Sequence, residues 1–171
     1  TASVTMPRHS FVDTFDAEQL SSNFVDPAGV FSTSDGQLHT AENRQYLLTA
    51  KTDYNLGDFR FEVDLDMTST EQFIQYIGIG SGDREGAYNE PTNAVALRFH
   101  SASLGGDLAV TNAGPSGSVA FAQLTERGIH RVRMTKTGDT LVFDIDAHFN
   151  GTFRSDYTYK IASLKRYAFF L

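Results

Sequence analysis

The sequence predicts an all-β fold, a two-sheet antiparallel β-sandwich of the jelly-roll kind, on three observations. Apolar residues recur at every second position in segment after segment, as they do in strands with one buried face. Phe is abundant (14 copies, beside 7 Tyr), and Phe, Thr and Val alternating with polar residues suit a pleated, half-buried surface. Gly, Asn and Asp turn signals separate these runs at the roughly 8–12-residue spacing of sandwiches.

The elements follow in chain order. Strands are expected over 10–15, 29–33, 36–40 and 45–49, with one helical turn at "DAEQLSS" (16–22) capped by Asp16. "FRFEVDLDM" (59–67) sends Phe59, Phe61, Val63, Leu65 and Met67 to one face and Arg60, Glu62, Asp64 and Asp66 to the other. Strands over 73–80, 94–101, 107–111 and 118–123 come next. "GIHRVRMTKTGDT" (128–140) places Val132 and Met134 inward and Arg131 and Arg133 outward, then turns at Thr137-Gly138-Asp139. "TLVFDIDAHF" (140–149) turns Leu141, Phe143, Ile145 and Ala147 one way and Asp144, Asp146 and His148 the other. Asn150-Gly151 is a hairpin signal, which accounts for the residues better than the glycosylation sequon Asn150-Gly151-Thr152 does. The last strands are 156–161 and "RYAFFL" (166–171), the latter expected to pair with the N-terminal "SFVDTF" and close an edge.

Composition narrows the function. With 171 residues, no repeat and no linker, the expectation is a single domain over 1–171 with a full core. No cysteine is present, so disulfides and thiolate metal sites are excluded. A net charge of −7 argues against a nucleic-acid partner. No apolar run approaches the ~20 residues of a membrane span. The chain starts at Thr1, and any targeting segment is expected to have been removed.

The stretch "GSGDREGAYNEPTNAVALRFHS" (80–101) concentrates the candidate chemistry. Its glycines are not a dinucleotide fingerprint, because no helix pattern follows; they suit close approach by a neighbouring strand or a ligand. The 81–93 loop is longer than most sheet connections. Asp83 and Glu85 offer the hard oxygens that calcium takes, so any metal is expected to be calcium, with these two as first ligands. Tyr88 can stack on a sugar ring, and Pro91 restricts Glu90 to an extended conformation. Beyond the loop, Val95, Leu97 and Phe99 face the core, which puts Arg98 and His100 together on the other face. Tyr88, Asn89, Glu90, Arg98 and His100 are therefore the candidate glycan-binding set. They are expected to join Arg60, Glu62 and Asp64, or Arg131 and Arg133, where those strands are neighbours. No nucleophile elbow, Ser-His-Asp spacing or zinc motif is present.

The segments "DTFD", "GVFSTSDGQLHT", "QYLLTAKTDYNLGDFRFEVDLDM" and "GIHRVRMTKTGDTLVFDIDAHFNG" resemble, in that order, the concanavalin A-like lectin/glucanase superfamily. The likeness lies with its laminin-G-like and 3-keto-disaccharide hydrolase-like domains. The resemblance covers most of the chain and implies a sandwich that binds glycans on a polar sheet face. The glucanase branch carries a Glu-x-Asp-x-x-Glu strand, whereas Glu62-Val63-Asp64-Leu65-Asp66-Met67 lacks the second Glu. Glu62 and Asp64 on one strand face reach only the short end of the ~5–10 Å that paired glycosidic carboxylates need.

A secreted or extracellular carbohydrate-binding or adhesive module is thus the expected function. Its partner is a polysaccharide or glycan, and Arg98 favours an acidic one through its paired donors. The alternatives are a small polysaccharide-active hydrolase or lyase, with Tyr88 or His100 as base beside Arg98, and a structural subunit of an extracellular assembly.

Overall fold

A computed structural model describes residues 11–40, 47–49, 57–80, 94–114 and 117–164. The chain groups into two compact units, Thr1–Thr52 and Asp53–Leu171.

In the first unit, β1 (Phe24–Val25) pairs antiparallel with β4 (Leu48–Thr49), and β2 (Phe31–Ser34) with β3 (Gln37–Thr40). The β2–β3 turn is Asp35-Gly36, with φ of 52° and 72°, the two left-handed positions of a type I′ hairpin. Residues 11–15 are not a strand. Phe15 has φ 56° and its amide donates to Asp13 Oδ1 at 2.9 Å, a local Asx turn that breaks the extended path. Nor do 16–22 form a helical turn: Thr33 Oγ1 donates to Ala17 O at 2.5 Å. One isolated turn cannot repay its nucleation cost against such a tie. The Phe24 ring gathers Phe11 and Phe15 at centroid distances of 5.5 and 5.9 Å.

The second unit is the sandwich. One sheet has the order β12–β11–β10–β5, from β5 (Phe59–Asp66), β10 (Ile129–Thr137), β11 (Thr140–Asp146) and β12 (Tyr157–Ile161). The other has the order β6–β7–β8–β9, from β6 (Ile74–Gly80), β7 (Ala94–His100), β8 (Asp107–Gly114) and β9 (Gly117–Gln123). All pairings are antiparallel. The second sheet is a sequential meander; the first becomes four-stranded because β10 returns to lie beside β5.

The alternation read from the sequence sets the core. Val95, Leu97 and Phe99 of β7 and Leu141, Phe143 and Ile145 of β11 are 0 % exposed and share one cluster with Val132 and Met134. Phe59, Phe61, Val63 and Leu65 face the same way but are only partly buried; among the described residues β5 is the last strand of its sheet. Just before the 80–101 stretch, Gly78 on β6 shows one close approach by a neighbouring strand. A Cβ there would lie 2.2 Å from Val95 O and 2.6 Å from Ala96 Cα, so it is the adjacent strand β7 that approaches closely.

Two expectations change around β11. The strand ends at Asp146, not 149, and Asn150-Gly151 is no two-residue hairpin: ten residues, 147–156, separate β11 from β12. Asp146 is the reason. Its carboxylate accepts the amides of His148 (3.0 Å) and Arg154 (2.7 Å), and Asp156 Oδ2 accepts the Ala147 amide at 2.9 Å. These bonds replace ladder pairing and fold the loop back, leaving Asp146 2 % exposed although its parity is outward. The "RYAFFL" segment lies outside the described residues.

Candidate binding face

The outer face of the β12–β11–β10–β5 sheet is assembled by register. Arg131 on β10 stands between Asp64 on β5 and Asp146 on β11, and Arg133 stands between Glu62 and Asp144. Charge therefore alternates across the strands, and the cross-strand spacing lets opposite charges meet. Arg131 holds Asp64 with both prongs, Nε to Oδ1 at 2.5 Å and Nη2 to Oδ2 at 2.6 Å. The bond to Asp64, reinforced by that carboxylate's charge, raises the Arg131 pKa above the ordinary guanidinium range despite some desolvation. Arg133 Nε donates to Glu62 Oε1 at 2.6 Å, and Arg60 donates to the same oxygen, from Nε at 2.8 Å. Burial pushes the Glu62 carboxyl up, but the hydrogen bonds from Arg60 and Arg133 outweigh it and the net shift is downward.

A flat face of each guanidinium lies against a ring. Arg131 Cζ lies 3.6 Å from the centroid of Phe149, and Arg133 Cζ lies 3.6 Å from that of Phe153. Both rings come from the folded-back 147–156 loop and both stay partly exposed. Since Arg131 and Arg133 are two positions apart on one strand, the rings are seated roughly 7 Å from one another along it. Each guanidinium thus meets a carboxylate at its edge and a phenyl ring over its face. The loop is stitched down further where Ser155 Oγ and Thr158 Oγ1 donate to Asp144 Oδ1 at 3.0 and 2.6 Å.

On this face the β5 carboxylates Glu62 and Asp64 are committed to arginines. Glu62 is held ionised and Asp64 is occupied by a bidentate guanidinium, whereas glycoside hydrolysis asks one carboxyl to keep a proton. Ser155 Oγ is engaged by Asp144, Thr158 and the Tyr157 carbonyl. Among the described residues no cluster of three or more His, Asp and Glu could hold a metal ion.

Arg98 and His100 lie elsewhere. They share outward parity as expected, but on β7 of the other sheet, opposite Tyr76 and Ile74 of β6. They therefore do not join Arg131 and Arg133; strand order separates two faces that alternation alone left free to merge. Arg98 Nη2 reaches Asp107 Oδ2 at 3.1 Å and its side chain is 18 % exposed. Ala96, Ala109 and Thr111, on the same outward parity, are buried. Tyr88, Asn89 and Glu90, and the calcium candidates Asp83 and Glu85, lie outside the described residues.

Phe149, Phe153 and Asp146 were not singled out by sequence reasoning. The one signal is "HFNGTFRSD", two Phe four residues apart in a segment otherwise made of turn formers and charges, where a core strand would not place them. Compared with known proteins, the chain matches no family model, no curated relative and no solved structure.

Proposed function

We propose that this protein is a secreted or extracellular carbohydrate-binding or adhesive sandwich module of the concanavalin A-like kind. Its ligand lies on the outer face of the β12–β11–β10–β5 sheet. The observation that carries the reading is the pair of Phe149 and Phe153 rings, each backed at 3.6 Å by a guanidinium that a carboxylate pins from the sheet. Aromatic faces held flat are what pyranose rings stack on, and rings already immobilised lose little entropy on binding. The fringe of Glu62, Asp64, Asp144 and Thr158 supplies acceptors and donors for hydroxyls.

Charge refines the ligand. On this face Arg131 and Arg133 are each paired with a carboxylate, so a uronate or sulfate has to displace an internal anion. A neutral, hydroxyl-rich glycan therefore fits this face better than the acidic polysaccharide that unpaired arginines favour. Calcium held by Asp83 and Glu85 remains part of the reading, and a melting point that shifts with EDTA and millimolar calcium is its check.

A glycan array tests the proposal, followed by the variants Phe149→Ala and Phe153→Ala on any hit. Each ring removed should weaken binding by roughly 1 kcal/mol, in the range of aromatic stacking contacts. Unchanged binding in both variants overturns the proposed face, and new reducing ends or unsaturated products from the bound glycan identify an enzyme instead.

A further inference from the structure

We infer that two histidines clasp the platform loop: His130 and His148 tie residues 147–156 to the connection between β9 and β10, and the exposed His148 bridge makes the hold on Phe149 and Phe153 pH-dependent, closed at neutral and mildly acidic pH and released on the alkaline side. The inference rests on the ring-bearing face being the binding face.

Glu126, in that connection, is gripped at both ends. His130 occupies an inward position on β10 and is 0 % exposed. Its Nε2 faces the Glu126 carbonyl at 3.1 Å and its Nδ1 the Ala147 carbonyl at 2.8 Å. His148 is exposed and does with side chains what His130 does with backbone. Its Nε2 lies 2.6 Å from Glu126 Oε2 and its Nδ1 3.1 Å from Asp156 Oδ2. Asp156 in turn receives the Ala147 amide, and Asp146 receives the His148 amide. Phe149 follows His148 directly, so the clasp sits one residue from the first ring.

The charged groups around His148 are Glu126 from the β9–β10 connection, Asp156 on its own loop, Asp146 beneath it, and Arg154, whose charge acts on Asp156. The hydrogen bond to Asp156 comes first, with the Glu126 charge next, in holding the His148 pKa above its ordinary 6.5. The folded value thus exceeds the unfolded one. The contribution is complete below about 6.5 and disappears as pH rises through the raised value. Asp156 moves the opposite way. The His148 bond and then the Ala147 amide lower it from 3.8, so its contribution is lost only as pH falls through that depressed value. The clasp is closed between these limits. Exposed pairs are individually weak, so they govern local opening of the loop and not global unfolding.

The test uses the full chain, free of ligand. NMR follows the His148 ring through a pH titration, and amide hydrogen exchange follows residues 149–153 in the wild type, His148→Gln and Glu126→Gln. The expected result is a His148 midpoint above 6.5, protection factors at 149–153 falling severalfold across that midpoint, and both variants showing the low protection at every pH. Protection that stays flat through the midpoint, or variants as protected as the wild type, overturns the clasp. Glycan binding by Phe149→Ala and Phe153→Ala is read separately, so a failed platform and a failed clasp give different results.

Discussion

Truncating Phe143 to alanine removes a ring from the middle of the sandwich, and the structure sets what that costs. Phe143 is 0 % exposed and sits on the internal strand β11, with Met134 of β10 on one side and Tyr159 of β12 on the other. Full burial of a Phe side chain is worth roughly 1.5–3 kcal/mol against leaving it in water. The neighbours are fixed in hydrogen-bonded strands and cannot close the hole, so a cavity penalty adds to this. The total falls in the ~3–5 kcal/mol range of buried Phe→Ala changes. Phe61 is the internal control. It flanks Met134 from β5 and is only partly buried, so Phe61→Ala should cost about half as much, near 2 kcal/mol. With no Trp in the chain, urea unfolding is best followed by far-UV circular dichroism, comparing midpoints at unchanged m. Thermal midpoints should fall by roughly 6–20 °C for Phe143→Ala, at ~2–4 °C per kcal/mol for this chain length. A loss below about 1 kcal/mol for Phe143→Ala, or equal losses at the two sites, would refute the assignment of buried faces.

Three further outcomes are expected. Gly106→Ala should be severely destabilising, since φ is +65° and the new Cβ would lie 2.2 Å from the Leu124 carbonyl oxygen. Gly105→Ala, at φ +92° in open space, should show only the ~1–2 kcal/mol of left-handed strain. Equal melting points for the pair would contradict the close approach at Gly106. Arg98→Ala should lower stability by about 1 kcal/mol through the lost Asp107 bond and leave glycan affinity unchanged. A binding loss of roughly 1.5–3 kcal/mol would move the site to the β6–β9 sheet. Because the Glu62 pKa is lower folded than unfolded, its contribution is present above its ordinary 4.5 and lost as pH falls through the depressed value. Glu62→Gln should therefore flatten the acid side of the stability profile, and an unchanged acid limb would show that Arg60 and Arg133 do not hold the carboxylate in solution.

Alternation by itself determined which side chains of this protein enter the core. Successive Cβ atoms on a strand point to opposite faces whatever the strand lies beside, so Val95, Leu97, Phe99, Phe143 and Ile145 could be assigned inward, and Arg98, Arg131 and Arg133 outward, from the chain alone. The Thr137-Gly138-Asp139 hairpin was legible for a similar reason, since a turn is set by a few adjacent residues. What no local rule contains is which strand becomes whose neighbour. Tertiary structure placed β10 against β5, giving Arg131 and Arg133 their carboxylates, and put Arg98 on the other sheet with Asp107. Among the described residues it left β5 at the end of its sheet, where four well-patterned apolar residues are only partly covered. It also overrode the Asn150-Gly151 hairpin signal, because two carboxylates, Asp146 and Asp156, accept three loop amides and outweigh a turn preference confined to two residues. Phe149 and Phe153 became a surface feature only once that loop had folded back over guanidinium groups that the sequence keeps nearly twenty residues away.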